Sequence, residues 1–139
     1  MSQQLTQNVS AFGYELIRDH ILSSILGKNE EDILYWAGKE LARKFPADNL
    51  EEVIQFFTDA SWGTLTIDKQ SKDEAFFTLS GPEDLLHITH RCFRLEAGFL
   101  AEQHQHISGF LTECLDDKQE KKQQVMFHVK WDLKDPIEK

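Results

Sequence analysis

Between Val125 and Trp131 every second residue is large and apolar: Val125, Phe127, Val129 and Trp131 alternate with Met126, His128 and Lys130. A strict period of two predicts a strand with one buried face. Such a strand needs paired neighbours along its edges and a second layer over its apolar face, so the rest of the chain must supply both.

The strand partners are legible upstream. Phe110 to Leu115 reads as one strand, joined to the last by a charged turn over Asp116–Gln124. Leu65 and Ile67 alternate with Thr64, Thr66 and Asp68, a polar turn covers Lys69–Glu74, and Phe77 and Leu79 share one face of Ala75–Ser80 before Gly81 and Pro82 break the pattern. Two hairpins result.

The covering layer shows helical spacing. Phe12, Leu16, Ile17, Ile21, Leu22, Ile25 and Leu26 make a wide apolar stripe that Gly27 ends. Ile33, Leu34, Ala37, Leu41, Ala42 and Phe45 predict a second helix stopped by Pro46. Asp48 and Glu51 have capping-box spacing ahead of Leu50, Val53, Ile54 and Phe57, which predicts a third. Leu85, Ile88, Cys92, Leu95 and Phe99 predict a fourth that runs to His106. The expected fold class is therefore α/β of the α+β type: a small antiparallel sheet of about four strands in two hairpins, with about four helices packed around it. Residues 11–132 form one domain in this reading, with flexible tails at 1–10 and 133–139.

Charge and composition narrow the function. Lys and Arg number 15 against 24 Asp and Glu, a net charge of −9 that disfavours nucleic acid, and the densest basic stretch, Lys118 to Lys122, is diluted by Glu120. No run is apolar enough to insert in a membrane, and the start lacks secretory and myristoylation signals. Two cysteines, Cys92 and Cys114, without a secretion signal predict reduced thiols in the cytoplasm.

Catalytic signatures are missing: no phosphate-binding glycine loop, no nucleophile elbow, no zinc-protease motif. Among six histidines, His87 and His90 lie three apart near Cys92, but no further ligand pair completes a site, and His104 and His106 point to different sides of a helix. Asp84, His87 and His90 suit acid–base work by residue type alone. The histidines are expected to face solvent or to be hydrogen-bonded. Cys92 is expected on an apolar helix stripe and Cys114 mid-strand beside Glu113, both as inert thiols. The reading is of a non-enzyme with no catalytic residues, no metal and no cofactor.

Two binding surfaces are expected instead. Phe57, Phe77, Phe99 and Phe127 project from predicted inner faces, where they fill the core or line a pocket for a small apolar ligand. Leu16, Ile17, Ile21 and Ile25 exceed what one packed face needs. Gly38, which costs its helix about 1 kcal/mol relative to alanine, would let a second helix approach, so these five residues form the expected homodimer interface. The function read from these features is a dimeric cytoplasmic interaction or regulatory module with a protein partner, or alternatively a sensor for a small apolar ligand.

Two stretches carry a family resemblance. Ile33-Leu34-Tyr35-Trp36-Ala37-Gly38-Lys39-Glu40-Leu41-Ala42 and Leu95-Glu96-Ala97-Gly98-Phe99-Leu100-Ala101-Glu102 resemble paired helices of the superfamily of bacterial 4-vinyl-reductase-type sensor domains, haem-nitric-oxide-binding domains and small subunits of the Golgi tethering complex TRAPP. Within it the chain resembles the bacterial YslB-like family from about Phe12 to Trp131. The resemblance implies a small antiparallel sheet with helices around it, dimerisation through N-terminal helices and, in several relatives, an apolar pocket. It does not imply lipid attachment, because Pro46–Leu50 holds no thiol, nor haem, because no histidine sits in a matched ligand motif.

Overall fold

The computed structural model describes residues 11–81 and 90–137. The expected class is observed: a four-stranded antiparallel sheet, ordered β1-β2-β4-β3, carries helices on one face. Its strands are β1 (Thr64–Gln70), β2 (Glu74–Ser80), β3 (Phe110–Gln119) and β4 (Gln124–Pro136). Three regular helices, α2 (Glu30–Lys44), α3 (Leu50–Asp59) and α4 (Arg94–Ser108), follow an irregular helical segment over 11–26, here called α1.

The alternation in β4 points Val125, Phe127 and Val129 to the interior, where Phe77 and Leu79 of β2 and Cys114 of β3 meet them across the register pairs Phe77↔Phe127, Leu79↔Val125 and Cys114↔Val129. Phe57 of α3 and Phe99 of α4 close over this face, and Phe56 stacks on Phe99 at 4.5 Å between ring centroids. Burial of these rings is the main apolar driving force of the fold.

Several boundaries differ from the sequence expectation. The third helix is capped one residue later: Asn49 accepts from the Glu52 amide, and Glu52 in turn accepts from the Asp48 amide. The extended backbone of Asn49 aims its side chain along the helix, so it takes the role expected of Asp48. The long fourth helix begins only at Arg94, and its expected first turns, over 85–89, lie outside the described residues. Cys92 therefore precedes the helix rather than sitting in its apolar stripe. Its carbonyl accepts from the Arg18 side chain, 2.9 Å away, instead of entering the helical ladder. At the other end, the sequence predicts a loose tail over 133–139. Instead β4 continues to Pro136, with Phe110↔Pro136 paired beyond a large register shift and the Ile137 amide bonded to the Gly109 carbonyl.

Helices α2 and α4 cross in direct backbone contact. A Cβ on Gly38 would collide with the Leu95 carbonyl and the Phe99 amide, and a Cβ on Gly98 would collide with the Tyr35 carbonyl. Gly38, expected at a dimer interface, is instead buried against the chain's own α4, because only a hydrogen side chain lets the two backbones meet. This crossing also carries α2 over the outer strand. The Tyr35 hydroxyl accepts from the Cys114 amide at 3.1 Å, Arg94 donates to the Cys114 carbonyl, and the Gln105 side chain accepts from the Thr112 amide. The open edge of β3 is thereby capped by side chains.

Replacing Gly98 or Gly38 by alanine forces the helices apart and is expected to cost about 1–3 kcal/mol, the range for overpacking. The midpoint of urea unfolding checks it, and an unchanged midpoint would show that the crossing has slack.

Candidate functional site

The segment 11–26 is amphipathic in the reverse of the usual sense. Its one buried residue is Arg18, while Phe12, Leu16, Ile17, Ile21 and Ile25 are exposed, Ile25 by 73%. The cause is a π-helical turn over Leu16–Ile21 between α-helical stretches Ala11–Glu15 and Leu22–Leu26, with the Leu22 amide bonded to the Ile17 carbonyl five residues back. The wider turn shifts the apolar line by one residue, so that Ile21 and Ile25 follow Phe12 and Leu16 on one side.

The inward side is polar. Arg18 donates to Glu96 at 2.6 Å, to the Tyr14 hydroxyl at 2.6 Å and to the Cys92 carbonyl. Asp19 receives both arms of Arg91 at 2.7 and 2.8 Å, and Arg91 lies 5.0 Å from the centre of the Tyr14 ring. Burial disfavours the charged guanidinium of Arg18, but Glu96 and Tyr14 outweigh it and hold the group protonated. Glu96 is fully buried, and its second oxygen has no partner.

Phe57, Phe77, Phe99 and Phe127 come together but are wholly buried, and none lines either of the two clefts described here. One cleft, about 590 Å³, is an open groove beside Trp131, Leu111 and Lys130. The other, about 220 Å³, lies between Phe45, Pro46, Phe56 and Gln103. His87 and Asp84 lie outside the described residues, and among the described residues no group of three His, Cys, Asp or Glu side chains could hold a metal. Burial pushes the thiols of Cys92 and Cys114 up, Cys114 far more strongly, so neither site favours a thiolate. No described helix is long and apolar enough to cross a membrane.

Comparison with known proteins identifies the family. Residues 11–130 match the family described as "Protein of unknown function (DUF2507)". The chain is 44% identical over 132 residues to the uncharacterized protein YslB of Bacillus subtilis (strain 168), covering 93% of this chain and 89% of that one. The chain belongs to the DUF2507 family.

Among solved structures, the DUF2507 fold is similar to a vinyl-4-reductase family protein from Methanocaldococcus jannaschii, with TM-score 0.64 and 20% identity over 91% of this chain and 83% of that one. It is also similar to an H-NOX protein from K. algicida, with TM-score 0.54 and 14% identity over 90% of this chain and 75% of that one. At such identities the likeness is one of fold. Among the described residues, none of the side chains lining either cleft of the DUF2507 chain is a histidine.

Sequence reasoning missed the inward pairs of Arg18 and Asp19. The signal was the interruption of an apolar stripe by Arg18-Asp19-His20, which a regular helix places on adjoining faces. It also expected every histidine to be solvated or bonded. His104 is instead buried against Trp131, with ring centroids 4.1 Å apart and Nδ1 unpartnered, because the interior end of α4 faces the core.

Burial lowers the His104 pKa from 6.5 to about 4. The unfolded chain takes up this proton near pH 6.5 and the folded chain only near 4, so stability falls on acidification through that window, by up to about 3 kcal/mol from this group. Urea unfolding at pH 7 and 4.5 is expected to show that loss, and His104→Phe, which keeps the stack, to flatten it.

Proposed function

We propose that this DUF2507 protein is a non-enzymatic cytoplasmic interaction module that pairs with a second copy of itself through the outward apolar face of α1. The observation that carries the proposal is the inverted α1, which buries an arginine and presents Phe12, Leu16, Ile17, Ile21 and Ile25 outward. Ile33 and Trp36 of α2 are exposed as well, and a stable interface takes about 800 Å² from each partner.

A second copy suits this face better than a lipid surface. The turn joining α1 to α2 leads into Glu30, Glu31 and Asp32, and the whole chain carries −9, which repels anionic headgroups. A twofold pairing instead matches apolar patch to identical patch. Two free cysteines with raised pKa fit a reducing compartment.

A second reading is a sensor for a small apolar ligand, favoured by the cleft between Phe45 and Phe56, since Phe56 stacks directly on Phe99 of the core. At about 220 Å³ it is smaller than most ligand sites, so occupancy requires these rings to move. A bound fatty or aromatic mass in native mass spectrometry of gently purified protein supports it, and a clean apo mass counts against it.

Sedimentation at micromolar concentration tests the pairing. The wild type is expected to be a dimer and Ile21→Glu, which places a charge mid-face, a folded monomer. A wild-type monomer throughout would defeat the proposal.

A further inference from the structure

We infer that a polar latch, Arg18 with Glu96 and Asp19 with Arg91, positions α1 for pairing, and that latching and self-association are coupled. The inference rests on the reading of α1 as the pairing surface and adds what sets and limits that surface.

The apolar part of the docking of α1 is limited to Tyr14, which packs against the core, and to half-buried Leu22 and Leu26. Arg18 alone is fully buried, and Phe12, Leu16, Ile17, Ile21 and Ile25 face away. What joins α1 to the first turn of α4 and the segment just before it is reciprocal in charge: a cation of α1, Arg18, meets Glu96 of α4, and the next residue, the anion Asp19, meets Arg91 ahead of the helix. Adjacent residues can both reach inward because they sit in the π turn. Sliding α1 by a turn or reversing it would strand a buried charge or face like charges together, so the pattern admits one register.

Specific docking of this kind is energetically shallow. Desolvation offsets much of the attraction in a buried ion pair, and the unpartnered oxygen of Glu96 leaves the network incompletely satisfied. A segment held mainly by such contacts belongs to the low-stability end of a fold. A partner that covers Leu16, Ile17, Ile21 and Ile25 can do so only while α1 is latched in register, and each pairing event in turn holds the latch closed. Binding and ordering therefore share one free energy.

The test combines sedimentation with amide hydrogen exchange on the full chain, comparing residues 11–26 with Arg94–Ser108. The variants are Ile21→Glu, Asp19→Asn, and the double variant Arg18→Met with Glu96→Leu, which removes both buried charges and keeps their volume. In the Ile21→Glu monomer, amides of 11–26 are expected to exchange at least about tenfold faster than in the wild-type dimer, with α4 unchanged. The double variant is expected to retain α4 protection while its dimer dissociation constant rises about tenfold or more. Equal wild-type and double-variant dissociation constants, or 11–26 as protected as α4 in the monomer, overturn the latch while leaving the dimer intact. A wild-type monomer defeats the pairing reading separately. The coupling falls with it, and the docking role of the ion pairs alone stands if Asp19→Asn speeds exchange in 11–26 and leaves α4 unchanged; if exchange in 11–26 does not change, the latch is overturned as well.

Discussion

The backbone contact between α2 and α4 organises the molecule. Gly38 and Gly98 face each other's chains with no side chain between them, and the close crossing sets where everything on either helix falls. From α4, Phe99 and Leu100 press onto the sheet, while Gln103 reaches sideways to bond the Ala47 amide and the Phe45 carbonyl, tying down the loop that leads into α3. From α2, Tyr35 reaches the outer edge of β3. Separating the helices by the width of a methyl group would withdraw both layers from the sheet together.

The sheet is guarded unequally. The β3 edge is closed by Tyr35, Arg94 and Gln105, each supplied by a helix that the glycine crossing holds in place. Among the described residues the β1 edge has no such cover and relies on a register irregularity between Ile67 and Lys69, which bends the strand and interrupts a flat template for further pairing. Apolar exposure is instead concentrated at α1, where Ile17, Ile21 and Ile25 all face outward.

Much of this was legible because periodicity follows directly from burial. Val125, Phe127 and Val129 announced β4 and its inward face, and Leu50, Val53 and Phe57 announced α3. The family resemblance rested on the two Ala-Gly pairs that form the crossing. Less legible were features in which a polar group is buried. An arginine or a histidine in a stripe reads as solvent-facing, yet Arg18 and His104 are both inside, one paired with Glu96 and the other stacked on Trp131. Their partners lie far away in sequence, beyond the reach of any local period. The same limit explains Gly38: a mid-helix glycine signals close approach, but its local sequence does not say whether the approaching helix belongs to the same chain.

The amino-acid sequence alone determined the class of fold, the inward faces of the strands, the acidic charge and the surplus of apolar residues in the first helix, because each of these is a property of neighbours along the chain. Only the tertiary structure decided which way that surplus points. A π turn and two ion pairs to residues more than seventy positions away turn Arg18 and Asp19 inward and the isoleucines outward. Helix orientation is chosen by the contacts available on the body it meets, and those contacts exist only after α4 and the segment before it have been placed.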